Sequence, residues 1–288
     1  MKLYSSRFPV DKMSSVLGVS RSGYYKWLKN SSLKEDRSKL DERIKAAFAS
    51  SRCRYGSPRI SQHLNKQSVG KRVSAATVGR RMQALSLVAR CKRRYVNTTD
   101  SNHNLKTSPN LLNRQFEVKE VNKVWVSDIT YIATDDGWRY LTVILDLADR
   151  AVVGWTLSDT MHADSTVIKA FTQAVANRGI QPKSGLMFHS DRGVQYACEE
   201  FRAILGRYGV TQSMSRKGNC WDNAVAESFF KTIKTEELDR YQPLKANTLN
   251  SLVFKYIEGW YNTQRIHSSL DGKTPWETFF EKYLTLAA

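Results

Sequence analysis

The order of hydrophobic patterns after residue 123 constrains this chain more than any other feature. Three strand-like runs follow one another: VWVSDITYIA at 124–133, WRYLTVILDLA at 138–148 and AVVGWTL at 151–157. Each is rich in β-branched and aromatic residues, and the turn TDDG separates the first two. An amphipathic helix at 163–179 ends at Gly179 as a C-cap. A short apolar strand LMFHSD (186–191), a helix at 197–208 and a last short strand VTQSMS (210–215) come next. A helix starts near Asp222 and runs past Lys234, and another covers 249–264. Strands joined by short turns pair antiparallel, and strands joined through helices pair parallel. The expected product is an α/β core, a mixed five-stranded sheet with flanking helices.

The segment before this core has a different character. Residues 1–120 hold 26 Lys and Arg against 8 Asp and Glu, whereas 121–288 hold 19 of each. The whole net charge of +18 therefore lies in the first two-fifths of the chain, as in a polyanion-binding region joined to something else. Val10 to Val16 reads as a short helix, with LGVS as a turn, Gly18 at a left-handed position and Ser20 capping a second helix that carries Tyr24, Trp27 and Leu28. Leu40, Ile44, Ala47 and Phe48 make an amphipathic helix, and SPRISQHL makes another. VSAATVGRRMQALSLV makes a third, with Ser74 as N-cap and Val78, Met82 and Leu85 as its apolar stripe. Arg80 and Arg81 lie off that stripe, where a groove-reading helix would carry them. An ordinary small helical bundle is the competing reading, and the charge favours helix-turn-helix-like pieces at 10–30 and 40–90. The run RCKRRY (90–95) adds Arg93 and Arg94 as candidate DNA contacts, and the polar, aperiodic stretch behind it reads as a linker. The expected domains are a basic DNA-binding region at 1–95, a linker at 96–120 and the α/β core with C-terminal helices at 121–288.

Other classes fall away. No run of about 18 apolar residues is present to span a membrane. The start MKLYSSRFPVDKMSS lacks the apolar core of a secretory signal, so a cytoplasmic protein is expected. Cys53, Cys91, Cys198 and Cys220 form no CxxC pair, and the histidines do not fall at zinc-ligand spacing.

Three acids stand out. Asp128 lies mid-strand among Val126, Ile129 and Ile132, where an unpaired carboxylate costs several kcal/mol. A nearby Lys or Arg satisfying it is an equal alternative. Asp191 ends the strand LMFHSD before Arg192 and Gly193, where a simple turn is the commoner reading. Glu227 flanks the apolar stripe Ala226, Phe229, Phe230 and Ile233, with Lys231 and Lys234 four and seven residues on. By itself that is a solvated Glu–Lys pair. Together, an Asp in the first strand, an Asp at a later strand tip and a Glu on a helix can converge in a ribonuclease-H-like sheet, which the element order also suggests. Converging carboxylates can hold two hard cations for in-line displacement at phosphorus.

The spacing carries a resemblance. From Asp191 to Glu227 there are 35 intervening residues, with Lys234 seven beyond the Glu. This resembles the D,D(35)E signature of retroviral integrases and their bacterial transposase relatives. WVSDITYI, HSDRGVQY, SMSRKGNCWDNAVAESFFKTIKTE and YNTQRIHSSL resemble the second-reading-frame product of bacterial insertion-sequence transposases, and YGSPRI…VSAATVGRRMQ resembles the helical DNA-binding region of the same family. Val194 and Ala197 depart from the polar residues more common there.

The resemblance implies Asp128, Asp191 and Glu227 as metal-binding catalytic acids, two Mg²⁺ or Mn²⁺ ions per site, and Lys234 as a DNA contact. His189, Asn219 and Asn223 match motif positions near the site, each as open to a local turn or cap role. Asp146, also mid-strand, is expected to be structural or to support the acids. Tyr261, Asn262, Arg265 and His267 match a C-terminal motif expected beside the core. The implied activity is cleavage at element ends and 3′-hydroxyl strand transfer, without a Ser or Tyr nucleophile. The implied setting is a nucleoid-associated homo-multimer on duplex DNA, fused to an upstream-frame product by frameshifting. A plain metal-dependent nuclease on the same fold, or a non-catalytic DNA-binding regulator, are the competing functions. The basic helical region argues against the first, and the intact acids against the second.

Overall fold

The computed structural model describes residues 1–66, 72–89 and 105–287. Contacts divide the chain into two compact units, Met1–Ala89 and Arg90–Ala288.

In the first unit α1 spans Val10–Leu17 and ends at Gly18, whose φ of 62° a residue with a Cβ rarely adopts. Ser20 Oγ accepts the Gly23 N–H at 3.0 Å and starts α2, Arg21–Ser50. The two helices expected on either side of residue 30 are thus one continuous helix. No Gly or Pro interrupts 24–50, and Lys, Leu, Glu and Arg there are good helix formers. Asn65, on α3 (Ser57–Lys66), exchanges hydrogen bonds with the Val73 peptide at 2.8 and 3.0 Å. Ser74 Oγ accepts from Thr77 N–H and starts α4, Ala75–Ala84. Ile44, Ile60, Leu64, Val78 and Met82 form the buried interior.

The second unit follows the expected order. β1 (Val124–Thr134), β2 (Gly137–Asp146) and β3 (Val152–Ser158) form an antiparallel meander. α5 (Lys169–Arg178) leads to β4 (Met187–Ser190); α6 (Val194–Ala197) and α7 (Glu199–Arg207) lead to β5 (Thr211–Met214). A 3₁₀ turn, Cys220–Asn223, opens α8 (Ala224–Glu236), followed by α9 (Ala246–Tyr256) and α10 (Pro275–Ala287). The sheet order is β3-β2-β1-β4-β5, with β4 parallel to both β1 and β5. This is the ribonuclease-H-like arrangement. Gly154 lets α5 lie close on β3, since a Cβ there would stand 2.4 Å from the Ala170 carbonyl. Trp125, Phe171, Phe188, Tyr196 and Phe201 fill the core between sheet and helices.

Residues 105–120 differ from the expected linker. Ser213 Oγ on β5 accepts the N–H groups of Leu111 (2.9 Å) and Leu112 (3.2 Å), and Ser108 Oγ donates to Gln212 Oε1 at 2.9 Å. Met214 N–H donates to the Pro109 carbonyl, and Leu112 is buried. The segment covers the outer edge of β5, which would otherwise expose unpaired backbone. Its anchors are peptide and hydroxyl groups, so it has no hydrophobic periodicity. On the opposite edge the Asn262 amide bonds both N–H and C=O of Val152, each at 2.9 Å.

Candidate active site

The parallel register of β1 and β4 runs Val124–Met187, Trp125–Phe188, Val126–His189. Two residues beyond the last pair stand Asp128 on one strand and Asp191 just past the tip of the other. Equal steps along neighbouring parallel strands keep the two acids on one face and in the same row. α8 packs against β1 through its buried stripe Ala226, Phe229, Phe230 and Ile233, and this sets Glu227 beside them in its first turn.

The electrostatics record this convergence. Burial pushes the Asp128 carboxyl well above its usual range, and the Asp191 and Glu227 charges push it further. Its own Ile129 N–H (2.9 Å) and the Lys234 cation pull the other way. Glu227 is raised by burial and then by Asp191. Asp191 accepts the Gly193 N–H at 2.9 Å, which fixes the turn after β4.

The strand around Asp128 is held on both sides. Ser127 Oγ hydrogen-bonds Tyr196 Oη at 2.8 Å, and the Ser127 carbonyl accepts from Asn223 Nδ2 at 2.9 Å. Lys234 Nζ donates to Thr130 Oγ1 at 2.7 Å, on the same side of β1 as Asp128. Burial lowers the Lys234 pKa against the opposing pull of Asp239 and Asp128. Tyr196 and Thr130 lie within the motif strings HSDRGVQY and WVSDITYI, but their part in holding Asp128 and Lys234 is revealed only by the folded contacts.

Other expected residues lie elsewhere. His189 is fully buried between Ser213 Oγ (2.9 Å to Nδ1) and Ser215 Oγ (3.2 Å to Nε2). Ser213 Oγ already accepts two N–H groups, so its proton goes to Nδ1 and the Nε2 proton to Ser215. Burial lowers His189 to about 4, so it stays a neutral brace between β4 and β5. Asn219 accepts from Arg114 Nη2 at 2.9 Å rather than facing the acids. Asp146 pairs in register with Trp125, three rows from Asp128, and accepts from Asn122 N, Ala148 N and Trp125 Nε1. Burial and then Asp149 raise it to about 7, and it supports the strand ends. Lys231 is exposed on α8. In the first unit Arg80 is exposed, but Arg81 Nε grips Asp41 at 2.7 Å and ties α4 to α2 instead of standing free for DNA. Arg93 and Arg94 lie outside the described residues.

The C-terminal motif packs on α8. Arg265 bonds both oxygens of buried Glu236 (2.9 and 3.0 Å), which also accepts from Tyr256 Oη at 2.9 Å. The Tyr261 ring meets Phe229 edge-on at 4.8 Å and His267 at 4.9 Å.

Among the described residues no three His, Cys, Asp or Glu side chains are drawn tightly enough to hold one ion as they stand. The donor chemistry of the acids nevertheless suits a hard divalent cation. All donors are carboxylate oxygens, and their mutual repulsion is what a cation relieves.

An integrase core domain model matches residues 118–220, a second integrase core model residues 208–275, and an HTH-like domain model residues 35–95. The insertion element IS600 uncharacterized 31 kDa protein of Shigella sonnei is 41% identical over 280 residues, 96% of this chain and 100% of that protein. The transposase InsF for insertion sequence IS3A of Escherichia coli (strain K12) is 36% identical over 285 residues, 98% of this chain and 97% of that protein. The HTLV-2 integrase catalytic core domain in complex with magnesium is 20% identical, covering 57% of this chain and 99% of that chain at a TM-score of 0.43.

Proposed function

Because the chain belongs to the insertion-sequence transposases with an integrase core, we propose that Asp128, Asp191 and Glu227 are its catalytic acids in DNA strand cleavage and strand transfer. The observation that carries this is the shared row of Asp128 and Asp191 at the β1–β4 junction, with the Glu227 charge acting on both sides of it.

The three carboxylates would hold Mg²⁺ or Mn²⁺, two ions per site, which supply activation of the attacking oxygen and stabilisation of the leaving one. The chain's own residues do the positioning. Tyr196 and Asn223 hold the peptide ahead of Asp128, and Thr130 holds the Lys234 ammonium where a DNA phosphate can meet it. Water cuts one strand at the element end. The freed 3′-hydroxyl then attacks a second phosphodiester, and a 3′-hydroxyl leaves from that target. Arg80 and Lys231 are exposed cations suited to backbone contact. The chain works at chromosomal DNA in the bacterial cytoplasm as a homo-multimer, because two ends must meet in one complex. Fusion to an upstream-frame product would raise the effective concentration of the end-reader at the acids.

Strand-transfer assays on element-end duplexes test this reading. Joined products with Mg²⁺ or Mn²⁺, and binding without turnover with Ca²⁺, are expected. Full activity after exhaustive chelation, or hydrolysis with no joined product, would overturn it. A transposition assay comparing the fused, separate and single products tests the fusion. Equal efficiency of this chain alone would exclude it.

A further inference from the structure

Trp221 is the most exposed tryptophan of the chain, at 69%. It stands in the 3₁₀ turn that opens α8, six residues before Glu227. An indole carries roughly 150–250 Å² of largely apolar surface, which folding alone does not favour leaving in water. The other half-exposed tryptophans each rest on a neighbouring ring: Trp27 on Tyr24 at 6.1 Å, Trp138 on Tyr131 at 6.1 Å, Trp276 on Phe280 at 6.0 Å. Among the described residues no ring pair or hydrogen bond engages the Trp221 indole.

The backbone beneath this ring is firmly fixed. The next residue, Asp222, is fully buried and accepts from Arg216 N–H (3.0 Å), Nε (2.9 Å) and Nη2 (2.7 Å), Arg114 Nε (2.8 Å) and Asn110 Nδ2 (2.9 Å). The residue after it, Asn223, bonds the Ser127 carbonyl beside Asp128. A flat apolar face is therefore presented on a rigid support two residues from a direct link to the acid-bearing strand. Arg114 and Arg216 are each about half exposed and together exceed the Asp222 charge by one cation. Half-exposed cations anchored on the residue next to a free aromatic ring are a combination suited to a nucleobase on the ring and its phosphates on the cations.

A paired base inside a duplex has both faces covered by its neighbours, so such a ring can receive only a base that has left the stack. We propose that Trp221 is a stacking platform for one unpaired nucleobase of the strand whose phosphate lies at Asp128, Asp191 and Glu227. The inference rests on the transposase reading of those acids. Trp221 would hold the strand end open after it frays.

The test is a cycle on the full 288-residue chain and the inverted-repeat end of its element. Wild type, Trp221→Ala and Trp221→Phe are titrated by fluorescence anisotropy with fully paired duplex and with duplexes abasic at single positions flanking the cut. Cleavage is read in parallel, with Asp191→Asn as the inactive reference. Trp221→Ala is expected to bind the paired end about 5- to 150-fold more weakly. The deficit should vanish when one particular base is missing, and Trp221→Phe should recover most of it. Equal affinity of Trp221→Ala and wild type overturns the proposal. So does a deficit that persists on every abasic duplex, including one that tracks a changed oligomeric state and so marks a protein contact. Melting curves of Trp221→Ala separate misfolding from either result. If wild type cleaves no better than Asp191→Asn, the transposase reading fails, while the binding cycle still decides the role of Trp221.

Discussion

Asp128 occupies a strand interior, where burial and two like charges all oppose ionisation. Carboxyls perturbed in this way cluster at functional sites. Asp128→Asn, Asp191→Asn and Glu227→Gln keep shape while removing one charge each. Cleavage and joining should fall about a thousandfold or more, with DNA affinity nearly unchanged, in parallel strand-transfer and anisotropy assays. Asp146→Asn should instead keep activity and lower the melting temperature, since Asp146 ties strand ends; an essential Asp146 with a dispensable Asp128 would place the chemistry elsewhere. Asp222 shows the opposite electrostatics. Its hydrogen bonds from Arg216 and then Arg114 hold its carboxyl well below the ordinary 3.8. A depressed carboxyl contributes stability above its unfolded pKa and loses it as pH falls through the folded value. Wild type should therefore exceed Asp222→Asn in stability by about 2 kcal/mol from pH 8 to 5, and the gap should begin to narrow near the ordinary carboxylate value of about 4 and keep shrinking as pH falls toward the depressed folded value, as read by denaturant melts carried down through acid.

At the scale of elements, α8 carries both Glu227 and Lys234 and must not rotate. Its sheet side is fixed by the stripe Ala226, Phe229, Phe230 and Ile233, and its far end by the buried Glu236–Arg265 pair. Removing one partner leaves the other charge buried. Arg265→Ala should cost about 3–5 kcal/mol, while a double change of Glu236 and Arg265 to apolar residues of similar volume should recover most of it. Thermal melts of both variants check this, and equal losses in the two would mean that packing rather than charge fixes α8. The expected break in α2 did not occur for a related reason. A polar stretch without Gly or Pro keeps helical propensity even where no apolar stripe marks it.

At the scale of the molecule, the positive charge belongs to the first 120 residues and the acids to the rest. A fragment 1–95 should bind duplex DNA with affinity that falls steeply as salt rises, because bound cations release counterions from phosphates. A fragment 105–288 should bind weakly with a shallow salt slope. Equal, salt-insensitive affinities would contradict the charge map. Cutting at 121 instead of 105 removes the segment that covers β5. The fragment 121–288 should therefore unfold at lower denaturant and associate at its bare edge, as sedimentation would detect.

Period and order alone determined the meander, the parallel strands and the helices of the second unit as far as α9, because hydrophobic alternation is a local property that survives into the fold; α10 was not placed. The spacing of Asp191, Glu227 and Lys234 was equally legible, since a strand tip and a helix turn fix where each residue falls. The β1–β4 register that aligns Asp128 with Asp191 was decided by tertiary structure, as were Tyr196 and Asn223 against Ser127, Thr130 beneath Lys234 and the packing of 105–120 on β5. These contacts join residues up to about a hundred positions apart through single hydrogen bonds. A single hydrogen bond imposes no period on the sequence around it, so only the folded chain reveals which groups it joins.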